Sequence, residues 1–134
     1  MASRRFTALL DSLPAAVVRE VERTMFAAGE IIQAHAQISI TSGAVSGKSH
    51  APSTPGEPPN NDTGHLAGQI ETLQVGRLKV QIISHADYSA ALEYGTSRME
   101  ARPFMRPAAI LTQPEVNKKL GAAARRAVRQ HFRR

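Results

Sequence analysis

A long amphipathic stretch in the first third of the chain limits the fold most strongly. From Pro14 to about Ile40, residues of one helical face recur three or four positions apart, and most charged residues lie elsewhere. That face consists of Val17, Val21, Met25, Ala28, Ile32 and His35. Such a helix would be about 40 Å long at 1.5 Å per residue. We therefore expect it to form the backbone of one domain spanning residues 1–134.

The composition predicts a thin core around this helix. Hydrophobic residues make up 42% of the chain, but aromatic residues make up only 4%, and there is no Trp. Much of the apolar content is Ala, which buries little area per residue, whereas aromatic side chains usually dominate core energetics. Burial against other subunits would compensate, so the composition favours an oligomer. The absence of Cys excludes disulfides and thiolate metal sites.

The segment Ser42–Gly64 changes character. Gly and Pro punctuate it, with Ser, Thr and Asn between them, and no apolar periodicity remains. A loop this long in a compact domain is usually functional or disordered. We predict a long flexible loop over residues 42–64 that serves partner binding.

Alternating residues between Leu66 and Ile83 predict a pair of antiparallel strands. Gly76-Arg77 lies where a tight turn is needed. The alternation predicts one apolar face buried against the long helix, formed by Leu73, Val75, Leu78, Val80 and Ile82.

The remainder of the chain predicts a second helix. Tyr88–Tyr94 is a short apolar segment, and Pro107 can begin a helix. Thr112 and Glu115 are spaced like a capping box, and we expect Pro114 to break or kink any helix that crosses it. A weak apolar stripe follows, made of Val116, Leu120, Ala123, Ala127 and Val128. The predicted fold class is α+β: a long N-terminal helix packed on a small antiparallel sheet, a long Pro/Gly-rich loop, and a C-terminal helix over residues 115–134.

No motif predicts catalysis, a cofactor or a metal. The run Gly43–Ser49 has three residues between its glycines instead of the four of a phosphate-binding loop, and it enters a Pro-rich segment. Asp62-Thr63-Gly64 resembles the catalytic triplet of aspartic proteases but follows Asn residues and not an apolar strand. The five histidines are scattered and have no partner His at i+3 or i+4. We expect a protein that is not an enzyme.

The charge distribution is uneven. The net charge is +6, no acidic residue follows Glu115, and the end of the chain carries Lys118, Lys119, Arg125, Arg126, Arg129, Arg133 and Arg134. This basic cluster predicts contact with DNA or an acidic partner, or it is a solvated helix face that maintains solubility. No segment is long and apolar enough to cross a bilayer, so we expect a soluble protein made in the cytoplasm, with no membrane partner.

Two stretches resemble a known family. The first is Tyr88-Ser-Ala-Ala-Leu-Glu-Tyr-Gly-Thr96, followed by Met99-Glu-Ala-Arg-Pro-Phe-Met-Arg-Pro-Ala108. The second is Ala51-Pro-Ser-Thr-Pro-Gly-Glu-Pro-Pro59, followed by Asp62-Thr-Gly-His-Leu66. In composition, order and spacing they resemble the tail-completion, or head–tail joining, proteins of the neck of long-tailed phages, which also occur in prophages and gene-transfer particles.

The resemblance implies a structural virion protein. Members of the tail-completion family form a ring, most often a hexamer, at the interface between head and tail. The implied partners are other copies of this chain, the tail tube protein, a head-side stopper or connector protein, and the DNA that passes through the channel. We predict a subunit or partner interface in the two motifs, made of Pro55, Gly56, Glu57, Glu93, Tyr94, Gly95, Thr96, Arg102, Phe104 and Arg106. The alternative function is nucleic-acid binding through the basic C-terminal helix.

The residue types suggest local roles within the first motif. Gly95 can adopt a left-handed turn, and prolines on both sides of Phe104 reduce its conformational freedom. Arg102 and Arg106 each precede a proline and are expected to be extended, paired with Glu93 or with an acid of a neighbouring subunit. The motif can equally be an intramolecular staple that locks the last helix onto the sheet. Core positions are favoured for the rings of Phe104 and Tyr88, because large apolar rings are usually buried.

Overall fold

The α+β prediction is confirmed. The computed structural model describes residues 4, 5, 8, 11–41 and 65–131. Its elements in chain order are helix α1 (Ala15–Thr41), helix α2 (His65–Gly68), strand β1 (Ile70–Gly76), strand β2 (Lys79–Ser84), helix α3 (Ser89–Tyr94) and helix α4 (Met105–His131). The predicted loop at 42–64 lies outside the described residues.

Helices α1 and α4 form an antiparallel pair. Ile40, near the end of α1, belongs to one buried cluster with Phe104 and Ala108, at the start of α4. At the other end of the pair, Arg126 Nη1 lies 3.8 Å from Glu20 Oε1. The buried residues of α4 are small, namely Ala108, Thr112, Ala123 and Ala127. Small side chains let the two helix backbones approach closely. The pair is therefore held by close contact of the two helices and not by burial of large side chains.

The two-stranded sheet packs on α1 through a glycine contact. A Cβ at Gly29 would lie 2.7 Å from Thr72 Cγ2 and 3.1 Å from Val80 Cγ1. Beside it, Thr72 Oγ1 donates a hydrogen bond to Gln33 Oε1 at 2.7 Å. Gly29 therefore permits the close approach of the sheet, and the Thr72–Gln33 bond fixes which strand face meets the helix.

The sheet presents a different face of β1 to α1 than the alternation predicts. Thr72 pairs with Ile82 and Leu73 with Gln81, so Leu73 lies on the face opposite the one that carries Thr72 and Ile82. The turn is at Arg77–Leu78, with Leu78 at φ 54°, not at Gly76-Arg77. A turn at Arg77–Leu78 without any bulge would pair Leu73 with Ile82 and so leave Leu73 on the face that meets α1. A β-bulge between Gln74 and Gly76 adds one more residue to β1, and a one-residue slip exchanges the two faces of the strand.

The core agrees with the expectation of a small apolar interior. Seven of the 13 buried apolar residues described are Ala, and the two largest side chains that are fully buried are Phe104 and Ile40. One cluster joins α1, α2, β1, the segment after β2, and α4. Its members are Ala36, Ile40, Leu66, Ala67, Ile70, Ala86, Phe104 and Ala108.

Helix α4 corrects three expectations about the C-terminal region. It begins at Met105, before both Pro107 and the predicted start of the C-terminal helix at residue 115, and it continues through Pro114 to His131 without a break. Thr112 is interior to the helix and donates its hydroxyl to the Ala108 carbonyl at 2.7 Å, so it is not a capping residue. Pro114 lies on the exposed side of α4, where water can reach the carbonyl that its missing N–H leaves unpaired. Packing against α1 on both sides of Pro114 holds the helix together.

Candidate interaction surfaces

The carboxylate of Glu93 organises the first motif. It accepts hydrogen bonds from the backbone N–H groups of Phe104 at 2.9 Å, Met105 at 3.0 Å and Arg106 at 2.8 Å. A helix that begins at Met105 has four backbone positions without an intrahelical acceptor, at residues 104–107. Glu93 satisfies three of them, and Pro107 has no N–H at the fourth. An acid at a helix N-terminus is also favoured by the helix dipole.

The chain reverses between α3 and α4 through a turn that requires glycine. Gly95 has φ 76° and ψ 175°, and a Cβ there would lie 2.9 Å from both Ala101 N and Met99 O. Thr96 N donates to Met99 O at 2.8 Å, and Arg102 N donates to Leu92 O at 2.6 Å. We call this unit, residues 92–106, the Glu93 clasp. These contacts are intramolecular, but they join the start of α4 to α3 and not to the sheet, as the predicted staple would.

The aromatic residues of the motif separate into inward and outward positions. Phe104 is 1% exposed and belongs to the core, so its side chain cannot contribute to a partner surface of this fold and that expectation is wrong for Phe104. Tyr94 is 80% exposed and Tyr88 is 44% exposed. The expectation that Tyr88 is a core residue is therefore wrong. Tyr88 directly precedes α3, a short helix with no fully buried residue that packs on the core through the partly buried Leu92.

The two motif arginines occupy different environments. Arg102 is half-buried, and its Nε is buried without a hydrogen-bond partner among the described residues. Arg106 is exposed and helical, in contrast to the extended conformation expected before proline. The hydrogen bond from its N–H to Glu93 holds it in the first turn, where proline is tolerated. Among the described residues, neither arginine forms an ion pair with Glu93.

The basic residues of α4 lie on its solvent side. Lys118, Lys119, Arg125, Arg126 and Arg129 are all exposed. Lys118, Arg125 and Arg129 follow one another at intervals of seven and four residues, so they share one side of the helix. We call these three residues the basic stripe. Arg126 points towards α1, where it meets Glu20.

Sequence reasoning missed an exposed apolar surface near the start of α4. Ile110 is 57% exposed and Leu111 is 68% exposed. We call these two residues, together with the exposed Pro114, the α4 patch. Their position off the helical stripe that contains Ala108 and Thr112 was the available signal. The apolar periodicity of the C-terminal region begins only at Val116, so it does not point to Ile110 and Leu111.

The described residues offer no group of three or more His, Asp or Glu side chains that could hold a metal ion. His85 Nε2 lies 2.8 Å from Glu71 Oε2 at the surface, where the pair is exposed. No described helix is long and apolar enough to cross a membrane.

Three predicted interface residues, Pro55, Gly56 and Glu57, lie outside the described part of the chain, as do the Gly43–Ser49 run and Asp62-Thr63-Gly64.

No protein-family model, curated protein or solved structure matches this chain.

Proposed function

We propose that this protein is a structural virion component that forms a ring at the head–tail interface of a long-tailed phage or a related particle. The ring completes the tail and joins it to the head. The proposal starts from the resemblance of residues 51–66 and 88–108 to tail-completion proteins.

One structural observation carries the assembly part of this proposal. The core is dominated by Ala, yet Tyr94, Leu111, Ile38 and Ile110 are each more than half exposed, at 80%, 68%, 61% and 57%. Neighbouring exposed apolar side chains, such as Ile110 and Leu111, are typical of surfaces that bind other proteins. A two-stranded sheet is also marginal by itself and gains from additional cover. Both features are expected of a subunit whose burial is completed by its neighbours.

In this proposal the Glu93 clasp has a positioning role. It fixes the direction in which α4 leaves the turn, and it holds Tyr94 and Thr96 at the surface. A rigid turn presents an exposed aromatic ring at a low entropic cost. Tyr94 is therefore the motif residue that we assign to a partner contact, with the core residue Phe104 anchoring the turn behind it.

A particle-assembly experiment tests the proposal. Particles produced without this protein should accumulate filled heads and free tails, and adding the purified chain should restore joining. Electron microscopy counts joined particles, and light scattering gives the mass of the purified chain alone and with the tail tube protein. Infectious particles formed without the chain would refute the proposal.

The exposed basic residues of α4 favour a second candidate, which is a nucleic-acid-binding protein. Removing one phosphate-binding side chain should reduce the slope of log affinity against log salt by roughly one. Under this candidate, duplex DNA binds the purified chain at physiological salt, and replacing Lys118, Arg125 and Arg129 with Gln removes binding. A chain that assembles with tails but ignores DNA at that salt concentration excludes it.

A further inference from the structure

The sheet has one covered face and one open face. Alternation and register place Leu73 and Ile83 on the face opposite α1, together with Gln81 and Glu71. Leu73 and Ile83 are only half-buried. Among the described residues, the elements that pack substantially on either strand are the partner strand, α1 and α2. The open face therefore carries a small apolar centre with polar residues beside it.

The α4 patch is a second uncovered apolar surface. Ile110 and Leu111 lie in the segment between Arg106 and Glu115, which carries no charged residue. They project to solvent, while Ala108 and Thr112 of the same turns are buried. The open face of the sheet and the α4 patch both point away from the interior. Among the described residues, α4 does not pack substantially on either strand, so the α4 patch does not cover the open face within one subunit.

The charges that border the two surfaces include one complementary pair, and the exposed Glu115 also lies one turn from Leu111 on the same helix. Lys118 follows Leu111 by seven residues, which places it about 10 Å along the same side of the helix. Glu71 lies directly opposite Ile83 on the open face of the sheet, and its side chain is 53% exposed. Placing the α4 patch of one copy over Leu73 and Ile83 of another brings Lys118 beside Glu71, whose Oε2 also lies 2.8 Å from His85 Nε2. Opposite charges at the edge of an apolar contact favour one docking orientation.

We infer that the α4 patch of one subunit docks on the open face of the sheet in a second copy of this chain. The contact joins two different surfaces, so it is head-to-tail, and such contacts close into rings when the rotation between subunits permits. A helix laid on the second face of a sheet is also a common layered arrangement. This inference rests on the proposed function, because it names the contact that would build the proposed ring.

Cysteine cross-linking tests this contact without disturbing the core, because the chain contains no cysteine. Leu111→Cys labels the α4 patch, and Gln81→Cys labels the open face of the sheet, and both positions are exposed. A mixture of the two single variants, treated with a short thiol-to-thiol cross-linker, should yield a covalent dimer. Each variant alone should yield none, because a head-to-tail contact does not bring identical positions together. The double variant should yield a ladder that ends at the number of subunits in the ring.

Gln130→Cys supplies the matched control. It is exposed on the same helix, about 28 Å from Leu111 along the helix axis. The mixture of Leu111→Cys with Gln81→Cys should cross-link at least about tenfold faster than the mixture of Gln130→Cys with Gln81→Cys, because docking raises the local thiol concentration. Equal rates would overturn the inference, and so would efficient cross-linking of Leu111→Cys with itself.

The inferred contact and the proposed function can fail separately. If the chain assembles with tails but the cross-linking rates are equal, the inferred contact is wrong and the proposed function stands. If the cross-link forms but particles join heads and tails without this chain, the contact stands and the proposed function is wrong.

Discussion

The Glu93 clasp and the second half of α4 achieve order in different ways. In the clasp, one carboxylate accepts three backbone N–H groups and one glycine adopts a backbone conformation that other residues resist. In residues 115–131 of α4, the buried side chains are those of Ala123 and Ala127. An exposed ion pair, with Arg126 Nη1 3.8 Å from Glu20 Oε1, connects this part of the helix to α1. The clasp therefore depends on specific atoms, whereas the second half of α4 depends on shape and helix propensity.

This difference separates stability from function along the chain. Substitutions in the clasp should destabilise the fold whatever the partner is, because the contacts are intramolecular. Substitutions on the outer side of α4 should leave the free energy of unfolding almost unchanged, so any effect on assembly would report a partner directly. Four sets of substitutions test this contrast.

The largest effect is expected at Phe104. Its ring is 1% exposed, and Phe104 and Ile40 are the two largest fully buried side chains among the described residues. Phe104→Ala should lower the free energy of unfolding by about 3–5 kcal/mol, because it removes apolar packing and leaves a cavity. Urea denaturation monitored by circular dichroism measures the change. Phe104→Leu should cost less, and a decrease below about 1 kcal/mol for Phe104→Ala would show that the core can collapse around the missing ring.

A smaller but still large effect is expected at Gly95. Gly95→Ala should cost about 1–3 kcal/mol for the unfavourable backbone conformation, and more because its Cβ would lie 2.9 Å from backbone atoms. Gly68→Ala is the matched control, since a Cβ there meets nothing within 4 Å. Thermal unfolding should show a clear decrease for the first variant and little change or an increase for the second. Equal melting temperatures would contradict the assigned turn.

The Glu93 carboxylate should contribute less than the buried ring. Glu93→Gln keeps the shape but removes the charge, and should cost about 1–2 kcal/mol, since hydrogen bonds to charged groups are worth about 1.5–3 kcal/mol and neutral ones about 1 kcal/mol. Glu93→Ala should cost more, because the N–H groups at the start of α4 lose their acceptor. Glu115→Gln, at an exposed position of α4, is the control. Unchanged hydrogen exchange of the Met105 and Arg106 amides in Glu93→Ala would refute the cap.

The smallest stability effect is expected in the basic stripe. Replacing Lys118, Arg125 and Arg129 with Gln should change the free energy of unfolding by less than about 0.5 kcal/mol in total at surface positions of this kind. If the stripe contacts an acidic partner or DNA, the same variant should nevertheless lose joining or binding. Comparing urea denaturation with the particle-joining assay separates the two effects. A strongly destabilised variant would show that the stripe takes part in the fold.

The first prediction that succeeded was the long helix, and the reason is local. The spacing of Val17, Val21 and Ala28 is a helical period, and 27 residues of such a pattern leave little choice of structure. The antiparallel strand pair was predicted for the same reason. Phe104 had two open roles in the sequence, and only its 1% exposure decided for the core.

The errors share a physical cause, which is that tertiary contacts selected among locally acceptable structures. The Gln74–Gly76 bulge reversed the face of β1 that meets α1. It thereby places Thr72 on that face, where its hydroxyl donates a hydrogen bond to Gln33. Pro114 normally ends a helix, but α1 packs on α4 before and after it. Arg106 became helical because a carboxylate 13 residues earlier accepts its N–H.

The amino-acid sequence by itself determined the α+β class, the long first helix, the hairpin, and the position of the motif turn at Gly95. These depend on periodicity and on backbone conformations that act over a few residues. Only the tertiary structure decided which strand face is open, where Glu93 points, and that Ile110 and Leu111 are exposed. Those outcomes depend on which residues distant in sequence come together, and local patterns carry no information about that choice.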